Sequence, residues 1–496
     1  MKKNYAAKKV LQACLLFFMI MTTNLFAQVG IGTTTPNASS ILDLTSTTQG
    51  MLPPRMTTAQ RTAIASPADG LMVYDTDLKS IFHYNSTSTS WGALTSGFNG
   101  RSKFKRIRSS DVLATVLATE LAAGGGAKYV LDSATLYEIN GIVVFNFPID
   151  LNNASLIGVD SNEDIIVRSS GFLFDGTTGG IVKNLTISGA CTVFNLIASG
   201  NTQTIIFRDS IVSGAASVGT VSGCNLVFFA VINYSGNTTG ITYNNCSRVL
   251  LSNTAWFGNN LGTFEKFTGT FSLLQKQGGF SEVNGAAVGL DVSANPTITG
   301  DAVMETVVFT GTPTTGKFIN AYTTGTFAGY NFNNKWNVRC SGIPTEIDAS
   351  ATGEFSINYP PGAGVQITVP NSGTPAKINL ATTSAATSNF RFTTTTNDAK
   401  IVYVGLKKRI FKFSGSLSFV ADSNAKTGIY IFYIAKNGVV IGQSKIYGFT
   451  GSTSDTSAIP LSGSTEMTTN DFVEVFVDYL GTTGQVKVTS LTLTAF

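Results

Sequence analysis

Carboxylates are the residues of this 496-residue chain with the most obvious chemistry, and glycosidic bond cleavage is the reaction that two of them could perform from opposite sides of the bond. Between residues 150 and 305 the acids are scattered: Asp150, Asp160, Asp175, Asp209, Glu265, Glu282, Asp291, Asp301 and Glu305 stand alone, and only Glu163 and Asp164 are adjacent. No catalytic pair within one chain is expected, while a pair contributed by two protomers at a groove stays open. A nucleophilic triad lacks its base, because His83 is the only histidine and reads as a hairpin surface residue. The Gly-x-Ser-x-Gly elbow is missing, and Gly124-Gly125-Gly126 lacks the basic residue and helix of a phosphate loop. Five cysteines include no Cys-x-x-Cys pair. This argues against a metal site, and Cys191, Cys224, Cys246 and Cys340 read as thiols buried in strands. No catalytic residue, cofactor or metal ligand is therefore assigned.

Binding chemistry has better candidates. Sugar rings stack on aromatic faces while polar neighbours bond their hydroxyls. Trp256 with Phe257, Tyr330, and Trp336 lie in Asn- and Gly-rich surroundings and are the expected ligand-binding residues, unless their rings fill the core or a protomer interface. The run Arg101-Ser102-Lys103-Phe104-Lys105-Arg106-Ile107-Arg108 is the strongest charge cluster, read as a solvated strand or neck or else a patch for acidic polysaccharide. A net charge of +4 over this length makes no case for nucleic acid.

The elements that must position these residues are short strands. Charged residues make up only 12%, and 50 glycines and 34 phenylalanines oppose both disorder and helical architecture. Lys2, Lys3, Lys8 and Lys9 followed by the apolar stretch from Val10 to Met21 read as a secretory signal, cleaved between Ala27 and Gln28. The mature chain is expected to carry no membrane span and to be exported to the cell surface or beyond. Met56 to Ile64 reads as a short helix capped by Thr57 or Thr58, and Leu71 to Tyr84 as a hairpin with Trp91 over its small core. From residue 128 to 310, Leu185, Ile206, Leu226 and Val249 recur about 20 to 23 residues apart, the length of one coil of a parallel β-helix. Asn and Gly between the strands suit left-handed corners. After residue 346 the pattern is period two: Phe411, Phe413, Leu417 and Phe419 share a face, Ile429 to Ile434 is apolar throughout, and Asn437-Gly438 suits a type I′ turn.

Several words carry resemblances. Val29-Gly30-Ile31-Gly32-Thr33-Thr34-Thr35-Pro36, with Gly50-Met51-Leu52-Pro53-Pro54-Arg55-Met56 and Gly70-Leu71-Met72-Val73-Tyr74-Asp75, resembles the N-terminal module of exported Bacteroidota surface proteins and of phage tail fibres. Residues 126–345, with Lys183-Asn184-Leu185-Thr186-Ile187 among their words, look like the right-handed β-helix of tail fibres and tailspikes. Thr469-Asn470-Asp471-Phe472-Val473-Glu474-Val475 is similar to the jelly-roll heads of trimeric fibres and C1q- or TNF-like domains. Together the resemblances imply an elongated all-β homotrimer. Its parts would be a signal peptide (1–27), an attachment module (28–97), a basic neck (98–125), a right-handed parallel β-helix (126–345) and a jelly-roll β-sandwich head (346–496). The implied function is an extracellular fibre or adhesin binding surface carbohydrate through the shaft or the C-terminal head. The alternatives are a tailspike-like depolymerase, or a filament subunit assembled through Val29, Gly30, Ile31 and Gly32. A phage virion is the alternative location.

Overall fold

Apolar residues at alternate positions of strands one coil apart are buried only when coil stacks on coil, and this is what the chain does between residues 103 and 346. The computed structural model describes residues 3–20, 28–94, 103–360, 362–379, 389–394, 398–420 and 428–496. The chain divides into two units, residues 1–101 and 102–496.

In the second unit, strands Phe104–Arg108, Leu136–Asn140, Ser155–Ile157, Gly180–Lys183, Thr204–Ser213, Leu226–Ser235, Arg248–Trp256, Thr270–Glu282, Thr297–Thr310 and Trp336–Ser341 pair in that order. They form the main path of a 13-stranded sheet, and every pair on it is parallel. A 9-stranded parallel sheet running from Tyr129–Val130 to Lys317–Asn320 forms another wall of the same solenoid. The all-β parallel solenoid expected from the coil spacing is thus present. The residues that mark the spacing do not share one face, however. Leu185 and Val249 are buried inside, while Ile206 and Leu226 sit at outward, half-buried positions. Both faces of these rungs carry apolar side chains, so the period is legible but the face is not. The basic run likewise is no free neck where it is described: Phe104–Arg108 is the first rung, held by Arg106–Glu138 at 2.5 Å and Lys105–Glu120 at 2.7 Å. Arg101 and Ser102 lie outside the described residues.

The interior is a stack of register partners. Phe207, Phe229 and Leu251 lie one above the other, and phenyl rings of Phe174, Phe194, Phe207 and Phe229 meet at centroid distances of 5.4 Å. One rung breaks this column: Lys276, above Leu251, is 1% exposed and reaches across the interior to Glu265 on the facing sheet at 2.9 Å, and to Thr254 Oγ1 at 2.9 Å. Burial raises the Glu265 carboxyl above its usual range despite the neighbouring ammonium.

Corners follow backbone sterics. Asn184, Asp209, Asn253 and Gly278 take left-handed backbone at one stacked corner, which Asn, Asp and Gly tolerate. Val231 adopts it at the same corner (φ 55°), an unfavourable geometry for a β-branched residue that stacking imposes. At another corner, buried Asn237 and Asn260 satisfy backbone groups of neighbouring coils and bond each other at 2.9 Å.

The described residues between 353 and 496 form two antiparallel sheets sharing one core. Strand Arg409–Val420 buries Phe411, Phe413, Leu417 and Phe419, as its alternation predicts. Strand Gly428–Lys436 is buried from Tyr430 to Ala435 on both faces, and Asn437 and Gly438 both have positive φ in the turn after it. The solenoid meets this core through buried Arg391, which pairs with Asp348 and donates to the carbonyls of Trp336 and Glu346. Asp348 also accepts from the Lys407 N–H at 2.8 Å, and Tyr330 stacks on Phe390 at 4.0 Å.

In the first unit, Lys3–Ile20 is helical, and among the described residues no helix is long and apolar enough to cross a membrane. The cleavage position Ala27 lies outside the described residues. Thr57 caps the helix Thr58–Thr62 in a capping box with Gln60. Strands Met72–Asp75, Ser80–Asn85 and Ser90–Ala93 pair antiparallel in sequence, with His83 half-buried beside Gly92.

Removing one partner of a buried ion pair strands the other charge. Lys276→Met is therefore expected to cost about 3–5 kcal/mol, with the double variant Lys276→Met/Glu265→Leu recovering most of it. Denaturant unfolding of the three proteins checks this; equal losses for the single and double variants would contradict it.

Candidate functional site: an outward aromatic groove and an unpaired apolar segment

Strand alternation decides where the candidate aromatics go. Trp256 ends its rung pointing inward, is 0% exposed, and lies flat on Phe264 at 4.6 Å and 17°. Phe257, the next residue, points outward and is 38% exposed, edge-on to Phe280 at 5.1 Å. Trp336 is also interior, its indole N–H donating to the Tyr322 hydroxyl at 3.0 Å, and Tyr330 is engaged by Phe390. Of the four expected ligand-binding rings, Phe257 is exposed, Tyr330 is half-buried, and Trp256 and Trp336 are fully buried. Both tryptophans sit in the core because the interior of a wide coil needs large rings to fill it.

Around Phe257 is an open groove of about 310 Å³ lined by Ser235, Phe257, Gly258, Asn259 and Glu282. Register places Ser235, Phe257 and Glu282 on successive rungs, one position beyond the Tyr234, Trp256 and Ser281 partners. The Glu282 carboxylate accepts the Gly258 N–H at 2.9 Å, and the Asn259 amide donates to Ser235 Oγ at 3.0 Å. A Cβ on Gly258 would lie 2.5 Å from the Glu282 carboxyl, so glycine keeps the groove floor open. The lining offers a ring face, an amide, a hydroxyl and one carboxylate, where glycosidic hydrolysis uses two. A second recess of about 290 Å³ is lined by Asn201, Asn245, Ser247, Thr270, Ser272 and Thr299. Ser247 and Ser272 hydroxyls meet there at 2.9 Å, and Asn245 accepts the Thr270 N–H at 2.9 Å. These polar residues escape sequence reading because partners on neighbouring rungs, such as Ser247 and Ser272 or Asn245 and Thr270, are 25 positions apart; only a coil alignment would bring them together.

The assembly candidates Val29, Gly30, Ile31 and Gly32 lie on or beside the strand Val29–Ile31, which pairs in parallel with Leu42–Leu44. Both glycines are required by close approach. A Cβ on Gly30 would meet Pro36 Cγ at 2.8 Å, and one on Gly32 (φ 82°) would sit 2.0 Å from the Thr45 carbonyl oxygen. This two-stranded sheet leaves Val29, Ile31, Ile41, Leu42 and Leu44 exposed, with Ile41 at 83%. Two strands do not bury enough apolar surface to be stable alone.

Beyond it, Asp75 is fully buried and bonded to Arg61 at 2.9 Å, to Thr58, and to the N–H groups of Asp77 and Leu78. Burial alone would raise its pKa, but the bonds from Leu78, Arg61, Thr58 and Asp77 outweigh that and hold it down at about 2.

Residues 30–109 match the family described as "Phage tail like trimerisation region". The matched stretch takes in the exposed two-stranded sheet, the Asp75 hairpin and the first solenoid rung. No curated protein matches the chain. A trimerisation-like segment leading into a parallel β-solenoid fits a self-associating structural protein of tail-fibre type.

Truncating the buried ring should cost far more than truncating the exposed one. Trp256→Ala is expected to destabilise by about 3–5 kcal/mol and Phe257→Ala by about 1 kcal/mol or less, measured by thermal or urea unfolding; similar losses would contradict the assignment. Acid should act on Asp75. Its depressed folded pKa contributes stability that is present above the unfolded value of about 3.9 and is lost as pH falls through about 2. Protection of the 72–93 hairpin against hydrogen exchange, relative to the intrinsic rate at each pH, should therefore fall between those pH values, and an Asp75→Asn variant should lack that transition.

Proposed function

We propose that this protein is the subunit of an exported, homotrimeric fibre that binds surface carbohydrate through its solenoid. The match of residues 30–109 to a trimerisation region carries the structural half of this reading, because it coincides with apolar strands that the chain leaves uncovered. Three copies bury those strands against one another, which meets the need of a sheet too small to stand alone. The basic, then apolar, N-terminal stretch supports export with cleavage before Gln28, and the exported fibre works at a cell surface; a virion is the alternative setting of the same architecture. The Bacteroidota-type opening word and the jelly-roll reading of residues 346–496 belong to this proposal too, supported by Val29 to Pro36 and by the two antiparallel sheets.

Phe257 and its groove carry the carbohydrate half. A half-exposed ring beside an amide, a hydroxyl and a carboxylate matches the amphipathic surface of a sugar: apolar C–H face on the ring, hydroxyls on Asn259 and Glu282. Trp256, buried directly behind Phe257, anchors the end of that rung, while Trp336 and Tyr330 lie on other parts of the solenoid.

On a glycan array the native chain is expected to retain a defined set of surface polysaccharides, and Phe257→Ala to weaken retention at least tenfold with the fold intact by circular dichroism. No retention of any glycan by the native chain would remove the carbohydrate half. Separately, Ile31→Asp with Leu42→Asp is expected to convert trimer to monomer in light scattering; an unchanged mass would show that this sheet does not hold the copies together.

A further inference from the structure

A sheet face turned to water normally carries polar side chains at its outward positions. The main solenoid ladder departs from this along a single column. Register links Phe104 through successive rungs to Ile181, Ile206, Phe228, Leu250 and Val303, with Ser155 and Gln275 as polar breaks. All of these apolar residues are half-buried and lie outside the solenoid's interior cluster, whose rungs are filled by their inward neighbours such as Phe207 and Phe229. From Ile181 to Leu250 the column is uninterrupted over four rungs. The outward position two residues further on runs polar over most of the same rungs, with Lys183, Arg208, Ser252, Gln277 and Glu305. An apolar strip edged by a polar one has the layout of an interface core and its rim.

We infer that this column is the surface along which the solenoids of neighbouring copies pack against each other. The occupant is a second copy of this chain because the column is continuous with the segment that matches a trimerisation region: the match ends at residue 109, and Phe104, the column's first residue, lies inside it. Copies joined there bring their first rungs together, and in-register stacking then carries the same strip upward rung by rung. A three-fold axis along the strip places Ile206, Phe228 and Leu250 of each copy in successive shared layers. The inference rests on the trimeric reading above and extends the contact from residues 30–109 into the solenoid.

Cysteine cross-linking of the full chain tests it. Phe228→Cys and Leu250→Cys are each introduced singly, with the unaltered chain as control for its own thiols and Thr242→Cys as an outward position on the 9-stranded sheet. Light scattering is run on every protein before treatment with a short bis-maleimide. The expected result is a trimeric mass throughout, with covalent dimers on denaturing gels at least fivefold above the control for Phe228→Cys and Leu250→Cys, and none above control for Thr242→Cys. Trimeric mass with no excess cross-linking at the column would overturn this inference while leaving the trimer in place. Monomeric mass for the unaltered chain would overturn the trimeric reading itself. Equal cross-linking at Thr242→Cys would show contact without preference for this face and would also overturn it. Should either column variant misfold, Ile206→Cys provides a further position on the same strip.

Discussion

In-register stacking of parallel rungs is the constraint on which the rest of this structure depends. A single rung has no second layer of its own; its inward side chain is buried only by its register partners and by the facing sheet. Each inward position therefore inherits the environment of the rungs beside it. That is why Phe174 stacks on Phe194 in one sheet and Phe207 on Phe229 in the facing one, with the two pairs meeting across the interior, and why Lys276, set in an apolar column, must be answered from across the interior by Glu265. The same rule governs the corners. Once Asn184 and Asp209 set a left-handed turn, Val231 is carried into it although its side chain disfavours that backbone. Neighbouring coils make the strain tolerable by fixing the residues on either side.

The outer surface is a by-product of the same register. Alternation that sends Trp256 inward sends Phe257 outward, and stacking then sets Ser235 and Glu282 on either side of it to form the groove. It likewise aligns Ile206, Phe228 and Leu250 into a strip that no part of the described chain buries fully. The first unit shows the opposite situation. There Val29–Ile31 and Leu42–Leu44 have no further rungs to stack upon, and their apolar side chains stay open. A solenoid can finish its own core; this small sheet cannot, and its match to a trimerisation region is the expected physical remedy.

Local signals in the sequence translate well where one residue type answers one backbone demand. Thr57 as a helix cap, Asn437-Gly438 as a tight turn, Phe411 to Phe419 as one buried face and Gly32 at a close approach all follow from chemistry within a few residues. Coil length was legible for a related reason, since apolar rungs recur at a nearly even interval. What was hidden depends on register between distant strands. Trp256 and Phe257 are adjacent in sequence, and nothing local says which faces water. Lys276 and Glu265 lie on different sheets, and Arg391 finds Asp348 from 43 positions away. The basic residues Lys105 and Arg106 resembled a neck because their partners Glu120 and Glu138 come only with the next turns of the chain.

The central claim is that this chain is built to be completed by copies of itself. Native mass spectrometry of the purified protein tests it most directly. The account predicts a single species at three times the mass of one chain, stable until the strands near Ile31 and Leu42 are disrupted. A species at the mass of one chain, folded and soluble at the same concentration, would contradict it.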